Sequence, residues 1–258
     1  MTNQRNLNKR FWEIDFIRGI ALIGMIIYHL FFDLDYFNVL QLNITSYNWF
    51  LFAHTVAFSF IFISGISLSL SYSRARLKNK TKLRQKYIKR GIKIFGLGVT
   101  ITLTTYIFLP NAYIIFGVLH FIGTGIILSI PFLNKKPKKL LYYAFPIILV
   151  GITISNITID TPLLLWLGVR PIGFQTIDYF PIFPWFGVVL LGIATGKTLY
   201  PNYKRKIELP KNINNKFIKK TSLLGKNSLI IYFLHQPLII SILLLMGFIQ
   251  PEFLLIAH

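Results

Sequence analysis

The stretch EIDFIRGIALIGMIIYHLFFD, Glu13–Asp33, decides how the chain is to be read. Its centre is aliphatic, and a helix needs about 20 mostly apolar residues to cross a bilayer. Arg18 and His29 interrupt it eleven positions apart. At ~100° per residue, eleven steps return to within roughly 20° of the start, so the two share a helix face about 16 Å apart along the axis. Asp33 follows His29 at i+4 on the same stripe, within reach of an imidazole N–H. Ionisable groups cost several kcal/mol inside a span and are by default functional.

Composition supports a membrane reading of the whole chain. Of 258 residues, 54% are hydrophobic and only 14% charged, against roughly 25% charged in soluble domains. Apolar stretches recur from end to end, so one helical domain over 1–258 is expected: a cytoplasmic segment at 1–12 and a bundle over 13–258. The net charge of +20 would suggest nucleic acid in a soluble protein, but its distribution here excludes that partner. With no cysteine, disulfides, thiolate metal sites and Cys nucleophiles are ruled out, and no metal site is expected. The first span carries charges and has no small-x-small cleavage site, so it reads as a retained anchor rather than a cleaved signal.

Seven spans are predicted at about 14–34, 49–72, 92–109, 113–133, 140–157, 181–200 and 228–247, giving an all-α integral membrane protein. Charge sets their direction. Arg5, Lys9 and Arg10, the run Arg74 to Lys93, the group Lys135, Lys136, Lys138 and Lys139, and the run Lys197 to Lys226 alternate with connections whose sole Lys or Arg is Arg170. By the positive-inside rule the N-terminus is cytoplasmic and the C-terminus outside. The tail from Pro251 to His258 is too short to cross and is expected at the interface.

This orientation places His29, Asp33 and His54 near the outer ends of their spans. Asp160, Arg170 and Asp178 fall in an outer connection, with His120 and His235 at greater depth. A neutral imidazole is the usual general base, and Asp33 is positioned to fix the His29 tautomer. The competing reading has Arg18 paired with Asp15 and His29 bonded to a neighbouring helix. His54 reads equally as a substrate contact or a hydrated surface histidine. His120 lies among glycines that permit close helix approach, where a satisfied inter-helix bond is the alternative to lining a cavity. His235 is followed by Pro237, which frees a backbone carbonyl one turn back. The segment Tyr179 to Gly187, with prolines at 181 and 184, suggests a broken or re-entrant element. Arg170 and Asp178 are the better candidates for acceptor contacts. The Arg74–Lys93 run suits phosphates, although the positive-inside bias accounts for it as well. P-loop, zinc-helix, Rossmann and nucleophile-elbow motifs are absent from the sequence.

Several of these stretches together resemble one family. The opening Glu13-Ile14-Asp15-x-x-Arg18-Gly19-Ile20-Ala21-Leu22 is similar to that of the heparan-alpha-glucosaminide N-acetyltransferase catalytic-domain family. So are Phe62–Gly65, Phe116–Gly123, Asp178–Gly187 and Ser228–Pro237, in order along nearly the whole chain. The Arg and His separated by ten residues also resemble the first-span signature of the acyltransferase-3 family. The resemblance implies a transmembrane acyltransferase taking acetyl-CoA from the cytoplasm. The acceptor would be an extracytoplasmic hydroxyl or amine, such as a glycan or lipid-linked sugar of a microbial envelope, reached from the cell membrane. By motif the resemblance carries over Arg18 and His29; together with the placement of the other residues, His29 is the expected base with Asp33 orienting it, and Arg18, His120 and His235 are expected on the donor side or cavity wall. His54, Arg170 and Asp178 would meet the acceptor. Lysosomal members carry Asn where His29 stands and an active-site His before span two, whereas residues 35–48 here contain none; the heparan substrate is therefore not carried over. A proton-coupled transporter using the His/Asp set as a relay and a noncatalytic scaffold remain alternatives, and association of copies is left open.

Overall fold

A computed structural model describes residues 7, 10–109, 113–209 and 215–249. It is 74% helical, the outcome that hydrocarbon imposes when every backbone N–H and C=O must be satisfied within its own segment. The helices are α1 (Trp12–Tyr36), α2 (Tyr47–Leu77), α3 (Leu83–Phe108), α4 (Val118–Ser129), α5 (Pro137–Ile154), α6 (Ile182–Leu199), α7 (Lys216–Lys226) and α8 (Ser228–Leu245). All but α4 and α7 are long and apolar enough to cross a membrane. The chain is thus an all-α integral membrane protein. Of the expectations above, those on Arg5, Lys9, connection residues 110–112 and the 251–258 tail lie outside the described residues.

Three expected spans differ in extent; the second runs on to Leu77 rather than ending near 72. The fourth begins at Val118, not near 113, and with its 3-10 extension ends at Phe132. Residues 113–117 are held out of helical geometry from outside: Thr176 Oγ1 donates to the Tyr113 carbonyl at 2.8 Å, and the Phe180 amide to the Phe116 carbonyl at 2.9 Å. The third span starts nine residues before the expected 92, at Leu83, because Lys and Arg are good helix formers and continue the helix beyond its apolar part. The basic stretch before the last span contains α7, whose entry is capped: Asn215 Oδ1 accepts from the Phe217 and Ile218 amides at 2.8 and 3.4 Å. Such a cap contributes about 1 kcal/mol.

The chain divides into two compact units, residues 1–63 with 209–257 and residues 64–208 with 258. In the first, α1 packs along α7 and α8. A Cβ on Gly225 would overlap the Asp15 carbonyl, and one on Gly19 the Thr221 carbonyl. Glycine is therefore required on both sides of this crossing, where two backbones touch directly. Further along, Ile239, Leu243 and Ile249 form a buried cluster against Ile26, Leu30 and Leu34 of α1.

In the second unit α5 packs on α6, and α3 on α4. Gly91 and Gly123 mark the α3–α4 crossing, each facing the other's backbone. The connection between α5 and α6 holds a two-residue parallel pairing, β1 (Thr158–Ile159) with β2 (Arg170–Pro171), around a 3-10 turn at Pro162–Leu167. The expected break in Tyr179–Gly187 is local. Only Phe183 leaves helical geometry (φ −94°, ψ 129°) inside α6, and the Phe183–Pro184 peptide is cis.

Candidate active site

The polar groups of α1 meet α7 and α8 in two places. Near the N-terminal end of α1, Arg18 Nη1 donates to Asp15 Oδ1 at 2.9 Å and to the Gly225 carbonyl at 3.2 Å. Asp15 also receives Arg10, with Nε 3.2 Å from Oδ2. Arg18 therefore anchors α1 to α7, and its charge is answered by an aspartate one turn back. Of the two sequence readings, the pairing with Asp15 describes its geometry.

Three helical turns further, the His29 and His235 rings meet edge to face, with centroids 4.8 Å apart at 63°. Tyr28 flanks His29 and Tyr232 flanks His235, at 5.7 and 5.4 Å. His235 is only 9% exposed, and its Nδ1 lies against the Tyr232 carbonyl. A carbonyl only accepts, so Nδ1 carries the proton and neutral His235 has its lone pair on Nε2. That Nε2 is buried and has no hydrogen-bond partner among the described residues. The chain has thus set one imidazole in a single tautomer and left its basic nitrogen open. Pro237, two positions on, lacks the amide that would bond the Phe233 carbonyl and loosens this turn of α8.

Asp33 does not orient His29 as expected. Its oxygens accept from the Gln236 side-chain amide, at 2.8 and 2.9 Å, and the carboxylate is 3% exposed. The reason is geometric: an aspartate side chain is short, and the longer Gln236 approaches from the facing helix. The same contact fixes the amide orientation, since a carboxylate requires the NH2 end. Gln236 Oε1 is left buried without a partner. Gln236 was absent from the residues singled out in the sequence. An amide in an apolar span beside a histidine is itself a costly polar group, and that was the available signal.

The remaining candidates are committed differently. His54 is exposed on α2, with Nδ1 2.9 Å from the Phe50 carbonyl and its ring over Phe50 at 3.9 Å. His120, 4% exposed, belongs to the second unit. Thr102 donates its hydroxyl to the Ile114 carbonyl at 2.6 Å, so it accepts from His120 Nε2 at 3.4 Å. Phe95 and Phe116 pack on the His120 ring at 5.1 and 5.8 Å, and Gly98 leaves room for it. This is the satisfied inter-helix histidine of the alternative reading.

Asp178 caps α4, its Oδ2 accepting from the Val118 amide at 3.0 Å. Burial pushes its carboxyl up to about 6, and the amide bond offsets part of that rise. Arg170 is exposed and donates to the Ser155 carbonyl at 3.0 Å, tying β2 to the end of α5.

No curated protein and no solved structure was found to match the chain. The family model for heparan-alpha-glucosaminide N-acetyltransferase, catalytic, matches residues 10–237, a range that takes in Arg18, His29, Asp33, His235 and Gln236, and the chain belongs to that family.

Proposed function

We propose that the protein is a cell-membrane acetyltransferase that moves an acetyl group from cytoplasmic acetyl-CoA to a hydroxyl or amine of an extracytoplasmic, sugar-containing acceptor, with the His29–His235 pair as its chemical centre. The observation that carries this reading is the buried His235 Nε2, set as an acceptor by the Tyr232 carbonyl and left without a partner. A buried polar atom in that state calls for a role, and a donor from a bound ligand is one that would satisfy it. An acceptor O–H or N–H is such a donor.

In this scheme a histidine of the pair takes the acceptor proton as its oxygen or nitrogen attacks the thioester carbonyl. The new C–O or C–N bond forms, the C–S bond breaks, and the proton passes from the imidazolium to the leaving sulfur. General-base assistance of this kind is worth about 10²–10⁴-fold. His29 packs on the base. Gln236, held by Asp33, offers Oε1 as a second acceptor of hydrogen bonds from the substrate. Arg18 holds α1 on α7 at the end that charge distribution assigns to the cytoplasm. Arg170 and Asp178 are assigned to the acceptor side, each with one atom already spent on the scaffold, and His54 to the periphery.

The test is transfer from labelled acetyl-CoA in proteoliposomes, comparing wild type with His29→Ala and His235→Ala. Loss of turnover in folded variants is expected. Full turnover in both removes the pair as the centre, and proton-driven flux of a solute without acetyl-CoA turnover replaces the enzyme with a transporter.

A further inference from the structure

At the far end of α2 from His54, a cavity of about 410 Å³ opens in the second unit, within the roughly 300–1,000 Å³ range of small-molecule sites. Ser69, Tyr72, Ser73 and Arg76 of α2 line it, with Pro137 of α5 and Lys197 of α6. Two cations thus share one space, and no Asp or Glu contributes to its wall. Each is tethered through a neutral oxygen. Arg76 Nη1 donates to Asn134 Oδ1 at 3.4 Å, an atom that also accepts from the Tyr72 hydroxyl. Lys197 Nζ donates to the Lys135 carbonyl at 2.6 Å.

These tethers set direction without neutralising charge. A guanidinium has five N–H donors and an ammonium three, so most of their hydrogen-bonding capacity is left over. The α5 N-terminus adds to the positive field. Its cap residue Lys136 makes no side-chain cap, and Pro137 at its first turn is part of the cavity wall. The C-termini of α2 and α6 each contribute about half a negative charge, less than the two side chains carry.

We infer that this cavity is a binding site for a phosphate-bearing anion, held by Arg76 and Lys197 with the Ser73 hydroxyl beside it. Two sources carry that chemistry: the nucleotide phosphates of a CoA thioester and the headgroup of an anionic phospholipid. The first rests on the acyl-transfer reading; the anion site itself does not. Positive charge at the chain connections is explained by the topology rule, but a half-open cavity with two pre-oriented cations and a serine hydroxyl is a more specific arrangement than that rule requires.

The experiment uses the full chain in phosphatidylcholine nanodiscs. One arm titrates CoA calorimetrically; the other measures the gain in melting temperature when phosphatidylglycerol is included. R76Q/K197Q is compared with wild type and with K89Q, which removes one positive charge off the cavity and so matches the net change in S73D. S73D, which places a carboxylate beside the cations, is the second variant should the double one fail to fold. An affinity loss of about ten-fold or more for CoA, in R76Q/K197Q and S73D but not K89Q, assigns the site to the nucleotide. Loss of the phosphatidylglycerol gain in the same variants assigns it to a headgroup. Folded variants that keep both responses, or a wild type that shows neither, overturn the inference. Acetyl-CoA turnover is scored separately. Anion dependence without turnover leaves the site standing and removes acyl transfer; turnover without anion dependence does the reverse.

Discussion

His235 and His120 are both buried histidines on apolar helices, yet they are built to opposite ends. His120 gives its Nε2 proton to Thr102 and is enclosed by Phe95 and Phe116. His235 is held at Nδ1 by the Tyr232 carbonyl and leaves Nε2 with nothing. A buried acceptor without a donor costs about 1–3 kcal/mol, and a fold retains that cost where function uses the atom. Burial does not tell the two apart; the state of Nε2 does.

The largest expected effect tests that contrast. His235→Ala lowers acetyl transfer by about 10²–10⁴-fold; its stability loss is smaller than at His120, because removing the unsatisfied Nε2 offsets part of the lost ring packing. His120→Ala reverses the pattern: turnover stays within a few-fold, while the protein loses roughly 2–4 kcal/mol, the scale of emptying a packed aromatic site. Initial rates and melting curves on the same preparations check both. Equal rate losses at the two positions would erase the distinction.

This contrast also marks how far the sequence can be read. Six of the seven expected spans are helices long and apolar enough to cross and the fourth is a shorter apolar helix; the apolar runs were legible because hydropathy and helix length are local properties. The shared face of Arg18 and His29 followed from helical spacing, and in the structure both look toward α7 and α8. Partners were not legible. Asp33 at i+4 from His29 pointed to a local bond, but Gln236, 203 residues away, takes both oxygens. Nothing in the spacing of His120 could say that Thr102 was waiting for it. The late start of α4 was equally hidden, since Thr176 and Phe180 impose it from across the chain.

A smaller effect is expected at the pair beside the centre. Gln236→Leu removes the donor to Asp33 and leaves a buried carboxylate unpaired, which costs about 1–3 kcal/mol. Asp33→Leu combined with it removes both partners, and the double variant is expected to regain part of that stability. The rates should fall in both, since Oε1 is lost in each. A melting-temperature cycle over the four proteins gives the coupling; additive losses would mean that the hydrogen bonds at 2.8 and 2.9 Å do not hold in the membrane. His54→Ala, on an exposed site, should change stability by no more than about 0.5 kcal/mol.

The last comparison sets Asp33 beside Asp178, an aspartate of the other unit. Asp178 accepts from a backbone amide at a helix start, a place that favours negative charge, yet burial raises its carboxyl from 3.8 to about 6. Between those values the folded state holds a proton that the unfolded chain has released, so stability falls as pH rises from about 4 to about 6 and levels off above. Asp178→Asn keeps an oxygen for the Val118 amide and has nothing to titrate. Its melting temperature should gain on wild type across that window and hold the gain at pH 7. Asp178→Ala loses the cap and should be about 1 kcal/mol less stable than Asp178→Asn at every pH. An Asn variant that runs parallel to wild type from pH 4 to 7 would show that the carboxylate is hydrated, and so free to meet an acceptor as well as to cap α4.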